Sequence, residues 1–151
     1  MMFRLYFYWL LGIGIIILDR YTKVIALTTL ISSPYHYNHY LSFDLVFNNG
    51  IAWGFFNYPD KSIFYLLSLF QALMILVIII NACYRIKKKL SIIGHIAIIA
   101  GVASNYYDRL AYSGVIDFVV ISYGRYAWPV FNIADIAIVC GAISMVLWHE
   151  E

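Results

Sequence analysis

The chain has 151 residues, of which 64% are hydrophobic, 19% aromatic and only 12% charged. Charged side chains make up about a quarter of a soluble domain, so this composition excludes a soluble globular protein and indicates an integral membrane protein. The formal net charge of +2 is too small, and the charges are too scattered, to indicate a nucleic-acid partner.

The apolar runs predict four membrane-spanning helices, each about 20 residues long. We expect the spans at about 5–27, 63–83, 90–107 and 133–148. The predicted fold is a single integral membrane domain over 1–151, an all-α four-helix bundle with a small extended region at its outer face. A cleaved signal sequence is the alternative for the first run, because Arg4 precedes it, but no small-residue cleavage site follows.

Two segments outside these spans have the pattern of extended chain. Apolar and polar residues alternate from Leu41 to Asn48, which is typical of a strand with one apolar face, and Asn49-Gly50 offers a turn after it. The second segment, 114–122, is rich in Val and Ile and carries Asp117 at its middle, and Gly124 ends it.

The charges predict the orientation of the bundle in the membrane. The densest basic cluster, Arg85 with Lys87 to Lys89, lies between the second and third spans. Positive loops stay cytoplasmic, so both termini should be cytoplasmic and 28–62 and 107–132 should face outward. All the aspartates then fall at or near the outer side, where we expect the chemistry: Asp19, Asp44, Asp60, Asp108, Asp117 and Asp135.

Asp117 and Asp135 lie in apolar surroundings, where an ionisable group is costly and marks a functional site. Two carboxylic acids brought together at low dielectric cannot both ionise, so one holds a proton while the other takes one from water, as in aspartic proteolysis. Structural roles stay open for both. Asp117 could be an edge aspartate paired with Arg109 or Arg125. Asp135 could be a first-turn acid of a helix capped by Asn132.

Further polar residues have helical spacing. Asp19 and Lys23 are four residues apart, so they could form a structural ion pair or shape the outer mouth of a site. Asn105, Asp108 and Arg109 should share one face of the third span. Asp108 with Arg109 is expected to form a structural clasp, and Arg109 reaching toward substrate is the alternative.

The remaining candidates favour structural roles. Cys83 and Cys140 have no metal-ligand spacing and are expected to be small buried residues. His95 is solitary within a span and is expected to be a satisfied core histidine. Gly50 and Gly54 suit turns or close backbone approach. With no cluster of ligating side chains, we expect neither a metal nor another cofactor.

Five short segments hold most of the polar residues of the predicted outer side: DRYTK at 19–23, VFNNGIAWG at 46–54, GVASNYYDR at 101–109, GVIDF at 114–118 and FNIAD at 131–135. In order and spacing, these segments resemble the sequence boxes of the lipoprotein signal peptidase family, also called signal peptidase II. The resemblance covers nearly the whole chain. It departs from the usual pattern at Ser104 and Trp53, neither of which is one of the two aspartates.

The resemblance implies an aspartyl endopeptidase of the bacterial cytoplasmic (inner) membrane. Such an enzyme removes the signal peptide from diacylglyceryl-modified prolipoproteins, cleaving just before the lipidated cysteine, and works on membrane-held substrates without a cofactor. Asp117 and Asp135 would be the catalytic dyad, and we expect a monomer. The resemblance and the turn signal together give a supporting set of Asp19, Lys23, Asn48, Gly50, Asn105, Arg109 and Asn132.

Two other functions fit the residues less well. A small proton-coupled transporter or channel component could use Asp19, Asp117 and Asp135 as a relay, but it would need polar residues through the depth of the bundle. The cytoplasmic half offers few of them. A haem-binding bundle would need histidines on facing helices, and only His95 lies within a predicted span.

Overall fold

The fold, seen in a computed structural model that describes residues 2–50 and 61–147, is a bundle of helices with a small sheet packed against two of them. The helices are α1 (Met2–Thr29), α2 (Lys61–Lys87), α3 (Ile93–Tyr112) and α4 (Ile133–Leu147). The strands are β1 (Tyr35–His36), β2 (Leu41–Asn48), β3 (Val115–Tyr123) and β4 (Tyr126–Ala127). Trp53, Gly54 and Asp60, which the sequence singled out, lie outside the described residues.

Each predicted span corresponds to a helix, and the outward faces of the helices are apolar. Trp9 is 71% exposed and Leu10 70%, although both are large hydrophobic side chains. Surface of this kind is unfavourable in water and favourable against lipid. Among the described residues, the stretch Ser68–Lys87 of α2 is long and apolar enough by itself to cross a bilayer.

Helices α3 and α4 approach each other closely because glycines face the partner backbone. A Cβ atom on Gly94 would lie 2.6 Å from the carbonyl oxygen of Gly141. A Cβ atom on Gly101 would lie 2.5 Å from the carbonyl oxygen of Ala134, at the start of α4. This close contact sets the distance between Asn105, one turn further along α3, and the first turn of α4.

Gly101→Ala should therefore destabilise the protein, by about 1–3 kcal/mol, because the added methyl group meets backbone that has no room to move. Gly14→Ala is the matched control, since a Cβ atom at Gly14 in α1 meets nothing within 4 Å. Alanine is the better helix former, so the control should be neutral or slightly stabilising. Thermal unfolding in detergent measures both, and equal melting temperatures for the two variants would refute the close contact.

The sheet is antiparallel throughout, in the order β1-β2-β3-β4. Gly124, with φ +60°, makes the tight turn between β3 and β4. Backbone hydrogen bonds also join Val119 to Phe131, just before α4. Strand β3 is therefore flanked on both sides at its middle. Asp117 does not lie on a free edge, which rules out the alternative that it is an edge aspartate.

The regular alternation expected for β2 is interrupted. The pairing of β2 with β3 shifts between Phe43 and Val46. A bulge of this kind changes which side chains point inward. As a result Phe47 is 43% exposed, contrary to the prediction that it shares the buried apolar face, whereas Asn48 is 9% exposed and points inward. Asn48 thereby reaches the polar site described next.

Candidate active site

Asp117 lies in a fully formed strand and is held by two amides. Its Oδ2 accepts a hydrogen bond from Asn48 Nδ2 at 3.0 Å, and its Oδ1 accepts one from Asn132 Nδ2 at 2.7 Å. Residues 115–118 are buried on both faces of β3, and Asp117 itself is 2% exposed. Its hydrogen bonds come from neutral amides, and neither Arg109 nor Arg125 forms an ion pair with it within the described part of the chain.

Asp135 lies in the first turn of α4 and forms a reciprocal cap with Asn132. The backbone N–H of Asp135 donates to Asn132 Oδ1 at 2.9 Å, and the backbone N–H of Asn132 donates to Asp135 Oδ2 at 3.2 Å. The two bonds satisfy donors that every helix N-terminus leaves free. The capping geometry is therefore present. Asp135 Oδ1 accepts a further bond from Asn105 Nδ2 at 2.8 Å, so the carboxyl group is not only a cap.

Asn105 links the two aspartates to a buried lysine. Lys23 Nζ donates to Asn105 Oδ1 at 2.8 Å, and Asn132 Nδ2 lies 3.1 Å from the same oxygen. Because an ammonium group can only donate, it fixes which end of the Asn105 amide is the oxygen. The Nδ2 group of Asn105 must then point at Asp135.

Lys23 is the centre of a buried ionic cluster. Its Nζ lies 2.8 Å from Asp19 Oδ2 and 2.7 Å from Asp108 Oδ2, and all three side chains are 0% exposed. Of the two alternatives for Asp19 and Lys23, the structure shows the ion pair, which lies inside the bundle and not at the mouth of the site. Asp19 Oδ1 also accepts the backbone N–H of Ala134 at 2.9 Å, which fastens the start of α4 to α1.

The predicted clasp between Asp108 and Arg109 is wrong. Asp108 pairs instead with Lys23 and with Arg20, whose Nη1 lies 2.6 Å from Asp108 Oδ1. Consecutive helix residues point in different directions, so Asp108 turns toward α1 while Arg109 turns away from it. Arg20 had no predicted role, and its only sequence signal was a basic residue beside Asp19.

Arg109 is buried and has unused donors. Its Nη2 donates to the carbonyl oxygen of Gly50, while its Nε and Nη1 have no hydrogen-bond partner among the described residues. The backbone N–H of Gly50 donates to Asn48 Oδ1 at 3.0 Å, which orients the amide that holds Asp117. The backbone of Gly50 therefore connects Arg109 with Asn48, which in turn holds Asp117.

One cavity of about 460 Å³ is lined by both predicted catalytic aspartates and by three of the predicted supporting residues. The polar side chains of the wall are Asn48, Gln71, Asn105, Arg109, Asp117 and Asp135. The rest of the wall is apolar: Phe70, Met74, Val102, Val115, Val130, Phe131, Ile138 and Val139. Asp19 and Lys23 lie behind this wall. Gln71, a polar residue of α2, also lines the cavity, although no sequence pattern gave a reason to expect it there.

The electrostatics of the cavity disfavour two negative charges. Burial raises the pKa of Asp117 to about 7, and the negative charge of Asp135 acts in the same direction. The hydrogen bonds from Asn48 and Asn132 and the charge of Lys23 oppose this rise without cancelling it. Asp117 can therefore hold a proton near neutral pH, which an ordinary aspartic acid does not.

Other predictions have mixed outcomes. His95 is 3% exposed, with its Nε2 2.7 Å from Asn81 Oδ1, which confirms a satisfied core histidine. The prediction that Cys83 and Cys140 are buried is wrong, because both are exposed on the outside of their helices. Ser104, noted only as a departure from a family pattern, donates to Asp19 Oδ2 at 2.6 Å.

Comparisons with known proteins identify the family of the chain. Residues 11–149 match the family described as signal peptidase (SPase) II. The chain is 33% identical over 140 residues to a lipoprotein signal peptidase of Dichelobacter nodosus, covering 93% of this chain and 91% of the relative. It is 38% identical over 137 residues to a lipoprotein signal peptidase of Clostridium novyi, covering 88% and 90%.

Solved structures show the same fold. A bacterial membrane enzyme determined by the in meso method at 2.3 Å resolution has a TM-score of 0.72 and 27% identity, covering 93% of this chain and 85% of that one. A second such structure, at 1.9 Å resolution, has a TM-score of 0.70 and 28% identity, covering 93% and 90%.

The described helices and small antiparallel sheet, together with the likeness to these solved structures, define the class of the protein as a helical membrane enzyme. The chain belongs to the signal peptidase II family. It is therefore a membrane peptidase that removes signal peptides.

Proposed function

We propose that the chain is an aspartyl endopeptidase that removes the signal peptide from diacylglyceryl-modified prolipoproteins, cleaving just before the lipidated cysteine. The observation that carries this proposal is the pair of buried carboxyl groups, Asp117 and Asp135, in the wall of one largely apolar cavity. Each carboxyl group is held by amide donors, and no cation contacts either directly within the described residues. The name of the relatives, lipoprotein signal peptidase, supports the choice of substrate.

In the proposed mechanism one carboxyl group of the dyad is ionised and the other is protonated. The ionised group takes a proton from a water molecule as the water oxygen attacks the scissile carbonyl carbon, and the protonated group donates to the developing oxyanion. Collapse of the tetrahedral intermediate returns the proton of the former oxyanion to its carboxylate and breaks the C–N bond. The leaving amine of the lipidated cysteine takes the proton that the other carboxyl group had removed from water, which regenerates the dyad. The apparent pKa values of activity then belong to the pair.

The supporting residues have two proposed roles. Three asparagines position the carboxyl groups: Asn48 and Asn132 hold Asp117, and Asn105 holds Asp135. Arg109 contacts the substrate, because its Nε and Nη1 are buried donors at the cavity without partners among the described residues. Peptide carbonyl or glyceride ester oxygens are acceptors that a guanidinium group binds well.

The proposed setting is the bacterial inner membrane, with all four helices spanning it as a single domain. The basic cluster at the end of α2 favours cytoplasmic termini, so the active site lies near the outer (periplasmic) face. A signal helix and diacylglyceryl chains held in the same bilayer would bring the scissile bond to that depth already positioned. We further propose a monomer that uses no cofactor and binds no nucleic acid.

The purified protein in detergent should release a signal peptide from a lipidated prolipoprotein and not from its unlipidated counterpart. A chelator should leave this release unchanged, because the proposed chemistry needs only carboxyl groups and water. Mass spectrometry of the released peptide gives both the rate and the cleaved bond. Equal release from the lipidated and the unlipidated substrate would contradict the proposed substrate class. Release that is lost with chelator and restored by zinc would contradict the aspartyl mechanism.

The activity should fall as the pH rises above about 7, because the pKa of Asp117 is raised to about 7 and the dyad loses its remaining proton there. The pH dependence of the protein's stability should reflect the same carboxyl group. A raised carboxyl pKa contributes stability that is complete below the unfolded value of about 4 and is lost as the pH rises through the folded value. Thermal unfolding from pH 4 to 8 should therefore show a decline that Asp117→Asn lacks. Identical profiles for parent and variant would refute the raised pKa.

A further inference from the structure

A second cavity, of about 250 Å³, lies at the end of the bundle where α1 begins and α2 gives way to α3. Its lining combines positive charge, a phenol and apolar side chains: Arg4, Leu5, Tyr8, Ile86, Lys89 and Leu90. No carboxylate is among these lining residues. The cavity lies at the opposite end of α1 from the buried Lys23 and plays no part in the proposed chemistry.

The guanidinium group of Arg4 is fixed in the wall of this basic cavity. Arg4 Nη1 donates to the carbonyl oxygen of Lys89 at 3.0 Å, and Arg4 Nη2 donates to the hydroxyl oxygen of Tyr8 at 3.1 Å. Tyr8 is 6% exposed and packs in a small apolar cluster, so its hydroxyl group holds Arg4 Nη2 at a fixed position. A fixed guanidinium group costs less conformational entropy on binding an anion than a mobile one.

Lys89 occupies a backbone position that favours glycine. Its φ is +61°, and its N–H donates to the carbonyl oxygen of Ile86 at 2.9 Å while the N–H of Leu90 donates to Arg85 O at 3.0 Å. These bonds close the turn that ends α2, where glycine is the usual residue because a Cβ atom is unfavourable in the left-handed region. A lysine here carries a conformational cost, which points to a use for its side chain.

The depth of the cavity suits a lipid headgroup. The apolar stretch of α2 that is long enough to cross a bilayer ends at Lys87, two residues before Lys89. The cations of the cavity therefore lie where that stretch leaves the hydrocarbon, and Leu5, Ile86 and Leu90 are the apolar part of the same wall. Basic pockets between spanning helices at the membrane surface bind anionic lipid headgroups.

We propose that this basic cavity binds the phosphate group of an anionic phospholipid, with Arg4, Lys89 and the Tyr8 hydroxyl as its donors and an acyl chain along Leu5, Ile86 and Leu90. The ligand is distinguished from a zwitterionic lipid by its net charge. It is distinguished from free phosphate by the acyl chain. The site is independent of peptidase activity, so its test does not depend on the proposed function.

Binding of dioleoyl phosphatidylglycerol, dioleoyl phosphatidylcholine and inorganic phosphate to the full chain in neutral detergent tests the proposal, with native mass spectrometry as the readout. Phosphatidylglycerol should bind at least about tenfold more tightly than phosphatidylcholine. Arg4→Gln and Lys89→Gly should each weaken phosphatidylglycerol at least about fivefold. Lys87→Gln, which changes an exposed neighbour outside the cavity, is the matched control and should stay within about twofold of the parent.

Lys89→Gly keeps the test independent of folding. Because glycine suits the left-handed position, the lipid-free melting temperature of this variant should equal or exceed that of the parent. Loss of phosphatidylglycerol binding in a protein of undiminished stability would support the site. Equal affinity for the two lipids, equal losses in Lys87→Gln and Lys89→Gly, or phosphate binding as tight as that of phosphatidylglycerol would each overturn it.

Discussion

Replacing either Asp117 or Asp135 by asparagine should lower the rate of signal-peptide release by about a thousandfold or more, because each change removes one of the two groups that move the proton. Asparagine keeps the size of the side chain but cannot exchange a proton with water. Each carboxyl group accepts hydrogen bonds from two donors. In the asparagine variant one carboxyl oxygen is replaced by an NH2 group, which cannot accept, so one of these donors loses its partner. A loss of about 1 kcal/mol in stability is therefore expected alongside the loss of activity.

Two measurements separate catalysis from folding in this experiment. Thermal unfolding in detergent should show both variants folded at the assay temperature. Asp44→Asn is the matched control, because Asp44 is an exposed aspartate on β2 away from the cavity, and it should retain most of the activity. If folded Asp135→Asn keeps a rate within about tenfold of the parent, a loss of only about 1.4 kcal/mol, then Asp135 is an N-cap partner and not a catalytic acid.

Lys23→Met should be the most destabilising single substitution in the ionic cluster, by about 3–5 kcal/mol. Methionine has a similar length but no charge, so Asp19 and Asp108 would be left buried without their shared cation. The amide of Asn105 would also lose the donor that orients it toward Asp135. Activity should therefore fall even in conditions where the variant remains folded.

Lys88→Met is the control for this substitution, because Lys88 is an exposed lysine whose ammonium group lies 5.0 Å from the ring centre of Tyr84. An exposed contact of this kind contributes little, so the control should melt within a degree or two of the parent, a shift of about 0.5 kcal/mol. Equal melting temperatures for Lys23→Met and Lys88→Met would show that the buried cluster is not important for stability.

Short-range features of the fold were predictable because they depend on neighbours in the sequence. The apolar runs predicted the helices. The four-residue spacing of Asp19 and Lys23 offered their ion pair as one of two alternatives, and the three-residue spacing of Asn132 and Asp135 offered the cap as one alternative. In each case the partners lie within one helical turn, where geometry follows from the helix itself.

The contacts that build the site were beyond such reasoning because they join distant parts of the chain. Lys23 reaches Asn105 across 82 residues, and Asp19 reaches the backbone of Ala134 across 115. The inward turn of Asn48 depends on a bulge that the regular alternation of β2 does not signal. The error over Asp108 had a simpler cause, since adjacent helix residues cannot clasp each other across one face.

The double variant Asp117→Asn with Asp135→Asn gives the most direct test of the claim that the two carboxyl groups act as one catalytic unit. The measurement is its rate of signal-peptide release from a lipidated precursor, compared with both single variants. Because either single change already disables the pair, the double variant should be no slower than the slower single one. A rate lower by the product of the two single losses would show two independent contributions and contradict a shared dyad.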